Sequence, residues 1–149
     1  MKALTTLCVV GMFATAVAVA DDADDVKASE IEHFTTQSAD VITQHHLAGH
    51  TGFAAGGGLL GVTDSLEEER NDRQAEFDAG LKRNLQLRHL EATIYGDVAV
   101  TTGYVIGTNT LPDGTTERVA NRRTAVLIKQ GGQWKEVHTH NSPLNIASQ

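Results

Sequence analysis

The fold of this chain is decided by residues 86–142, which read QLRHLEATIYGDVAVTTGYVIGTNTLPDGTTERVANRRTAVLIKQGGQWKEVHTHNS. Three turn signals divide this stretch, at Gly96-Asp97, Pro112-Asp113-Gly114 and Gly131-Gly132. The runs between the turns are rich in β-branched residues, which predicts strands. The four predicted strands cover residues 86–95, 98–110, 115–129 and 133–142. Because short turns join them, these strands should form an antiparallel meander.

Turn geometry also predicts which side chains share a face of this sheet. A two-residue turn at Gly131-Gly132 pairs Gln130 with Gln133, and counting along both strands then sets Arg123 opposite His140. One face is expected to enclose a half-polar pocket, and its polar side chains would include Thr101, Asn121, Arg123, His138, His140 and Ser142. The other face is rich in β-branched residues and tyrosine, which is unusual for a surface in water. We expect that second face to pack on another copy of the chain.

The residues before the sheet begin with a predicted helix over roughly 26–46. Ser29 and Glu32 fit a capping box at its start, and apolar side chains that include Ile31 and Phe34 recur at helical spacing. The helix should therefore bury one face.

A glycine-rich stretch, Gly49–Gly61, follows and predicts a short hairpin or loop. A second helix is predicted from residues 63–65 to about residue 83, with Glu67–Glu69 in its positive first turn. Arg70 and Arg73 fall on the same stripe of this helix as its apolar side chains. Either they extend past the edge of the core, or one of them reaches into a cavity to hold an anion.

The first twenty residues have the layout of a secretory signal peptide. Lys2 precedes an uncharged run that ends in Ala18-Val19-Ala20, and small residues at these positions favour cleavage after Ala20. A retained membrane anchor is the alternative. Cleavage would leave residues 21–149 as a single domain without cysteine, because Cys8 is the only cysteine of the chain. We therefore expect an exported protein, either periplasmic or secreted.

The charge of the chain excludes several classes of partner. The formal net charge is −7, so the surface should repel the phosphate backbone of a nucleic acid. No basic amphipathic stretch is present that would hold the mature chain on an anionic membrane. Without cysteine, the mature domain would be stabilised by packing alone and would have no thiol nucleophile.

The end of the predicted sheet carries a family resemblance. Gly132–Ser142 has the pattern Gly-x-Trp-x-x-Val-His-x-His-x-Ser, which resembles the last strand of the SnoaL-like and calcium/calmodulin-dependent kinase II association-domain families. Both belong to the nuclear transport factor 2-like superfamily, as does ketosteroid isomerase. The likeness extends back through Tyr95–Ala99 and Arg123–Val126. It implies an α+β fold, a cone-shaped barrel in which a curved antiparallel sheet wraps around the N-terminal helices, with a ligand cavity and a homodimer formed through the sheet.

Two classes of function stay open. The first is a binding module for a small organic ligand, anions included, and we favour it because a fold alone does not imply activity. Its predicted ligand-binding residues are Arg123, Asn121, Ser142, Thr101, Arg70 and Arg73. The second is an isomerase, cyclase or dehydratase that acts on a small carbonyl compound without a cofactor. His140 or His138 would be its general base, kept neutral by the adjacent guanidinium of Arg123.

A His-x-His pair on a strand also raises the possibility of zinc, since His45, His46 and His50 lie elsewhere in the chain. A zinc site needs a third ligand that converges on the pair, and the predicted register places Arg123 there instead. His45 and His46 are expected in solvent at the end of the first helix, where they would stabilise its negative terminus. The sequence therefore predicts neither a metal nor a cofactor.

Overall fold

A computed structural model describes residues 14–144 of the chain, with side chains described from residue 22 onward. Most of the predicted signal peptide, residues 1–13, lies outside the described residues. The described residues form α1 (Ala14–Thr35), α2 (Ala39–Gln44), β1 (His46–Phe53), β2 (Gly61–Thr63), α3 (Leu66–Asp78), β3 (Lys82–Tyr95), β4 (Val98–Thr110), β5 (Thr116–Gln130) and β6 (Gln133–Pro143). None of the described helices combines the length and apolar character needed to cross a membrane.

The six strands of the described chain form one curved sheet in the order β2-β1-β6-β5-β4-β3. Strands β3 to β6 are the predicted antiparallel meander, which is confirmed. Strand β1 joins its edge in parallel with β6, and β2 folds back on β1 as a short hairpin. Helix α1 packs on β3, β4 and β6, so that the sheet and helices form the expected α+β architecture.

The single helix predicted over residues 26–46 is in fact α1 and α2, separated by Thr36–Ser38. The break arises at Ser38, whose side-chain oxygen accepts a hydrogen bond from the backbone N–H of Val41 at 3.3 Å and so caps α2. Strand β1 then begins at His46, within the segment predicted as helix.

Helix α3 ends earlier than predicted. Its last residue is Asp78, and Gly80 follows with a φ of +108°, a left-handed conformation that glycine adopts without strain. This turn releases the chain into β3 at Lys82, so residues up to Arg83 are not helical as predicted.

The apolar core lies between α1 and the middle of the sheet. Val26 of α1 packs with Ala99, Ala125, Leu127 and Trp134. A second apolar group, further along α1, consists of Phe34, Leu85 and Val105. Ile31, expected on the buried face, is 46% exposed, because the face of α1 turned to the sheet carries Val26, Glu30 and Phe34 instead.

The predicted register holds through most of the meander and fails at two points, one in β3 between Arg88 and Glu91 and one in β6. Gly103 pairs with Arg123 and Gln130 with Gln133, as expected. Between Leu127, which faces Glu136, and Val126, which faces His138, β6 contains one extra residue, a β-bulge. Because side chains alternate along a strand, this extra residue moves every later side chain of β6 to the other face.

Candidate functional site

A charged group lies inside the fold, between α1 and the sheet. The guanidinium of Arg123 on β5 donates to Glu30 of α1, with Nε 3.0 Å from Oε2, and also to Oε2 of Glu136 on β6. All three residues are buried, with no more than 5% of any of them exposed. The guanidinium also lies over the ring of Phe34, 4.8 Å from its centroid, which adds a cation–π contact.

Burial and ion pairing have opposite effects on the pKa of each of these groups. Burial alone would lower the pKa of Arg123, but the carboxylates of Glu136 and Glu30 raise it above its ordinary value. Burial raises the pKa of Glu136 against the opposing effect of Arg123. Two carboxylates thus share one guanidinium in a region that water does not reach, which is costly unless the pairing is complete.

Histidines extend this charged group toward α3. Nδ1 of His46 lies 2.8 Å and 3.0 Å from the two carboxylate oxygens of Glu69. Nε2 of His46 is buried and has no hydrogen-bond partner among the described residues, and it lies 3.8 Å from Oε1 of Glu136. The rings of His33 and His50 flank His46, with centroids 4.8 Å and 4.3 Å away. We call the whole assembly the interior cluster, and its members are Glu30, His33, His46, His50, Glu69, Arg123 and Glu136.

The environment of the cluster favours neutral imidazoles at His33 and His50 and an ionised Glu69. Burial, followed by the neighbouring positive groups, holds the pKa of His33 well below its ordinary value. Burial also lowers the pKa of His50, whose Nδ1 lies 3.1 Å from the carbonyl oxygen of Leu47. Burial would raise the pKa of Glu69, but its hydrogen bond to His46 and the nearby charges of His46, His50 and Arg73 together outweigh that effect and lower it.

The predicted meeting of Arg123 with the His-x-His pair is wrong. His138 and His140 come after the bulge in β6 and lie on the outer face, opposite to the side chain of Arg123. Nδ1 of His138 lies 2.8 Å from the hydroxyl of Thr51, and the ring of His140 lies 5.4 Å from that of Phe53. Their catalytic role stays a prediction, without the shared pocket that motivated it.

Ser142 also lies on the outer face, because it pairs with Arg122 rather than with Arg123. Thr101 and Arg123 are buried on the inner face, as expected. Asn121 pairs with Val105, a buried inner residue, and so shares its face. A ligand-binding role for these side chains stays a prediction, and the guanidinium of Arg123 already has carboxylate partners.

The two arginines of α3 do not reach the interior cluster. Arg70 is paired with the exposed Asp40. Arg73 donates to Glu76 at 2.7 Å and lines a cavity of about 450 Å³ beside β2 and α3. The other charged side chains of this cavity are acidic: Asp64, Glu68, Glu69, Asp72 and Glu76. The expected anion would meet repulsion there.

A larger cavity, about 750 Å³, lies on the other side of α1, against the start of β6, and we call it the α1–β6 groove. Its wall includes His45, whose Nδ1 lies 2.8 Å from the hydroxyl of Ser29 and whose Nε2 lies 3.2 Å from Oε2 of Glu32. Trp134 also lines it, and the indole nitrogen of Trp134 is buried without a hydrogen-bond partner among the described residues. Ile31 supplies an apolar surface.

The junction of α2 and β1 contributes one histidine to the α1–β6 groove and the next one to the interior cluster. His45 faces the groove and His46 faces the interior cluster, so the two histidines expected in solvent are both buried. The reason is that β1 begins at His46 and pairs with β6, which draws the end of α2 into the fold.

The members of the interior cluster on α1 were missed from the sequence, although a signal for them exists. Val26, Glu30, His33 and Phe34 recur at intervals of four, three and one, the spacing of one helix face. A glutamate and a histidine on an otherwise apolar stripe indicate buried polar groups that need partners.

This architecture, a curved sheet packed on N-terminal helices with polar groups inside, is the nuclear transport factor 2-like fold. The family model of the SnoaL-like domain matches residues 31–146, so the chain belongs to the SnoaL-like domain family. No curated protein sequence matches the chain.

Solved structures with the same fold are similar to this chain at low identity. A nuclear transport factor 2-like protein with a cystatin-like fold from Novosphingobium aromaticivorans has a TM-score of 0.67 at 12% identity, covering 93% of this chain and 95% of that chain. A ketosteroid isomerase-like protein from Erwinia carotovora atroseptica has a TM-score of 0.63 at 16% identity, with coverages of 89% and 99%. A candidate dehydratase of the same superfamily from Streptomyces avermitilis has a TM-score of 0.66 at 14% identity, with coverages of 85% and 98%.

Proposed function

We propose that this chain is an exported domain that binds a small organic molecule in the α1–β6 groove. The volume of the groove, about 750 Å³, lies within the range of about 300–1,000 Å³ that is typical of small-molecule sites. The observation that carries the proposal is the indole N–H of Trp134. It is a donor only, it is buried in the groove wall, and it has no acceptor among the described residues.

The lining favours a molecule with one hydrogen-bond acceptor and an apolar body. The acceptor, a carbonyl or hydroxyl oxygen, would receive the indole N–H of Trp134 after a small movement of the side chains that cover this nitrogen. Burial lowers the pKa of His45, so its imidazole is neutral near pH 7 and is oriented by Ser29. Asp25 and Glu32 contribute two negative charges and Lys135 one positive charge, so the groove suits a neutral molecule better than a carboxylate. Ile31 would cover the apolar part.

The proposed domain acts as a homodimer joined through the outer face of the sheet. Tyr95 is 65% exposed and Val98 is 38% exposed on this face, and none of the described helices covers it. Light scattering on the purified chain should give twice the mass of one copy. A monomer would contradict the dimer without affecting the groove.

The ligand is tested by native mass spectrometry of the chain purified from its own host, which should detect a bound small molecule. Trp134 is the only tryptophan, so titration of that molecule into ligand-free protein should change the fluorescence of a residue in the groove wall itself. Ala28→Phe, which fills the groove from α1, should abolish both signals. Asp24→Phe is the matched control, because Asp24 is exposed on the same helix and does not line the groove. Equal binding by wild type and Ala28→Phe would rule the groove out.

A second candidate function is acid–base catalysis by His46, and the tautomer of this residue favours it. Glu69 holds Nδ1 of His46 as a donor, which leaves the lone pair of Nε2 free to accept a proton. An isomerase or dehydratase of this kind would exchange the hydrogen next to the carbonyl group of its substrate. Such a substrate would have to reach the interior cluster, because His46 does not line the α1–β6 groove. A small ketone incubated in D₂O should then incorporate deuterium with wild type and not with His46→Gln, and Ala28→Phe should leave this exchange unchanged.

A further inference from the structure

The interior cluster contains three potential metal ligands from three separate elements. One ring nitrogen of His33, one of His46 and one carboxylate oxygen of Glu136 all lie within 4.8 Å of one another. They come from the last turn of α1, the first residue of β1 and the middle of β6. In a tetrahedral zinc site, bonds of about 2.0–2.2 Å place the ligand atoms roughly 3.4 Å apart, so small side-chain rotations would close this set around an ion.

The backbone fixes two of the three ligands. His46 and Glu136 are register partners across the parallel pair β1–β6, and the N–H of Glu136 donates to the carbonyl oxygen of His45 at 2.7 Å. Two adjacent strands therefore hold the two side chains side by side. Sites built on regular elements in this way are more rigid than sites on loops.

The hydrogen bonds of His46 prepare it for a metal. A histidine that binds a metal usually donates its other ring N–H to a carboxylate, which sets the tautomer and the ring orientation. Glu69 accepts from Nδ1 of His46 at 2.8 Å, so Nε2 has the free lone pair. That Nε2 is buried, has no hydrogen-bond partner among the described residues, and points at Glu136 from 3.8 Å.

Glu136, like His46, has one polar atom held by a hydrogen bond and another that is left to bind an ion. Its Oε2 accepts from Arg123, while Oε1 is the oxygen that faces His46. The positive charge of Arg123 would repel a cation if it were unpaired, but Glu30 is bound to the same guanidinium at 3.0 Å. Glu30 therefore offsets the positive charge of Arg123, and this pair contacts Glu136 through the carboxylate oxygen that does not face His46.

The charge of the cluster also calls for a cation. The cluster holds three carboxyl groups and one guanidinium: Glu30 and Glu136 pair with Arg123, and Glu69 pairs with His46. With all three carboxyl groups ionised and the imidazoles neutral, two negative charges are left. One divalent ion would balance them. A proton on His46, shared between Glu69 and Glu136, is the competing arrangement and would balance only one charge.

We propose that His33, His46 and Glu136 bind one divalent transition-metal ion, with Zn²⁺ the best fit, and that Glu69 positions His46 for it. Two imidazoles and one carboxylate are ligands that Zn²⁺ takes in tetrahedral sites that keep a fourth position for water or a substrate. A second possible donor set, His46, His50 and Glu69, would require Glu69 to give up its hydrogen bond to His46. The proposed site is separate from the α1–β6 groove and does not depend on the ligand proposed there.

The site is tested by titrating Zn²⁺ into the full chain after treatment with EDTA, in competition with a chromogenic chelator. Wild type should bind one equivalent. His33→Gln and His46→Gln should each weaken binding by more than about 100-fold, and Glu69→Gln, which removes only the positioning carboxylate, by about 10- to 100-fold. The matched control is the double variant His138→Ala/His140→Ala, which removes the two outer-face imidazoles and should bind as wild type does.

Three outcomes would overturn the proposal: no stoichiometric binding by wild type, wild-type affinity in His33→Gln or in His46→Gln, or loss of binding in the outer-face double variant. Should the interior variants fail to fold by circular dichroism, X-ray absorption at the zinc edge of loaded His50→Gln decides instead, because this variant keeps His33 and His46 but leaves the second donor set with one imidazole. The spectrum should show two imidazoles among the ligands at about 2.0–2.1 Å, and a spectrum with fewer than two would contradict the site. Metal on Nε2 would also occupy the lone pair that a base needs, so zinc binding would exclude His46 as the catalytic base.

Discussion

The two halves of α1 bury opposite kinds of side chain against the same sheet. Val26 packs with Leu127 and Trp134 in an apolar group. Glu30, one turn later, pairs instead with Arg123, whose guanidinium also binds Glu136. The exposed fractions of Val26 and Glu30 are 0% and 2%, so the two regions differ in chemistry and not in depth. Burial of apolar surface stabilises by about 25 cal/mol per Å², while burial of ions carries a desolvation penalty that pairing offsets only in part. From this comparison we infer that the apolar residues around Val26 hold the fold together, and that the charged residues around Glu30 are kept for the binding proposed above.

The largest effect should come from removing the one cation of the charged half. Arg123→Met would leave Glu30 and Glu136 buried, unpaired and close to each other, and should lower the free energy of unfolding by about 3–5 kcal/mol. Urea unfolding followed by circular dichroism measures this. A loss below about 1 kcal/mol would mean that water reaches these carboxylates.

The apolar half should respond almost as strongly, for a different reason. Leu127→Ala would remove buried methyl groups from the group around Val26 and leave a cavity, at a cost of about 3 kcal/mol. Metal should make no difference to this loss, since Leu127 does not belong to the interior cluster. The same urea experiment with and without added Zn²⁺ checks both statements, and a loss that depends on Zn²⁺ would break the distinction between the two halves.

The smallest effect is expected on the outer face. His140 is exposed beyond the bulge of β6, so His140→Ala should change the free energy of unfolding by no more than about 0.5 kcal/mol. Urea unfolding of this variant beside His46→Ala compares the two faces directly, because His46 is 6% exposed. A larger loss for His140→Ala would place its imidazole inside the fold after all.

The fold could be predicted because its signals are local. The turns at Gly96-Asp97 and Gly131-Gly132 fix the hairpins, and alternation along the strands fixes the faces as far as the irregularities in β3 and β6. A bulge has no comparable signal, since one extra residue near Val137 leaves the composition and the alternation of the strand almost unchanged. Because the prediction did not include this residue, it placed His138 and His140 on the wrong face of the sheet.

The interior cluster was hidden for two further reasons. The parallel pairing of β1 with β6 joins residues about ninety positions apart, and no turn or periodicity announces it. His46 was therefore placed at a helix end in solvent rather than beside Glu136. Glu30 and His33 could have been found, because they share the helical stripe of Val26 and Phe34. A polar residue on such a stripe should be treated as a candidate site residue.

The central claim is that the charged half of α1 is retained for binding and not for stability. The most direct test is the free energy of unfolding, in urea and EDTA, of the triple variant Glu30→Leu/Arg123→Met/Glu136→Leu, which replaces the whole buried ionic group by apolar side chains. The account predicts a variant as stable as wild type or more stable by about 1–4 kcal/mol. A triple variant as unstable as Arg123→Met alone would contradict it, because the ionic group would then be what holds α1 on the sheet.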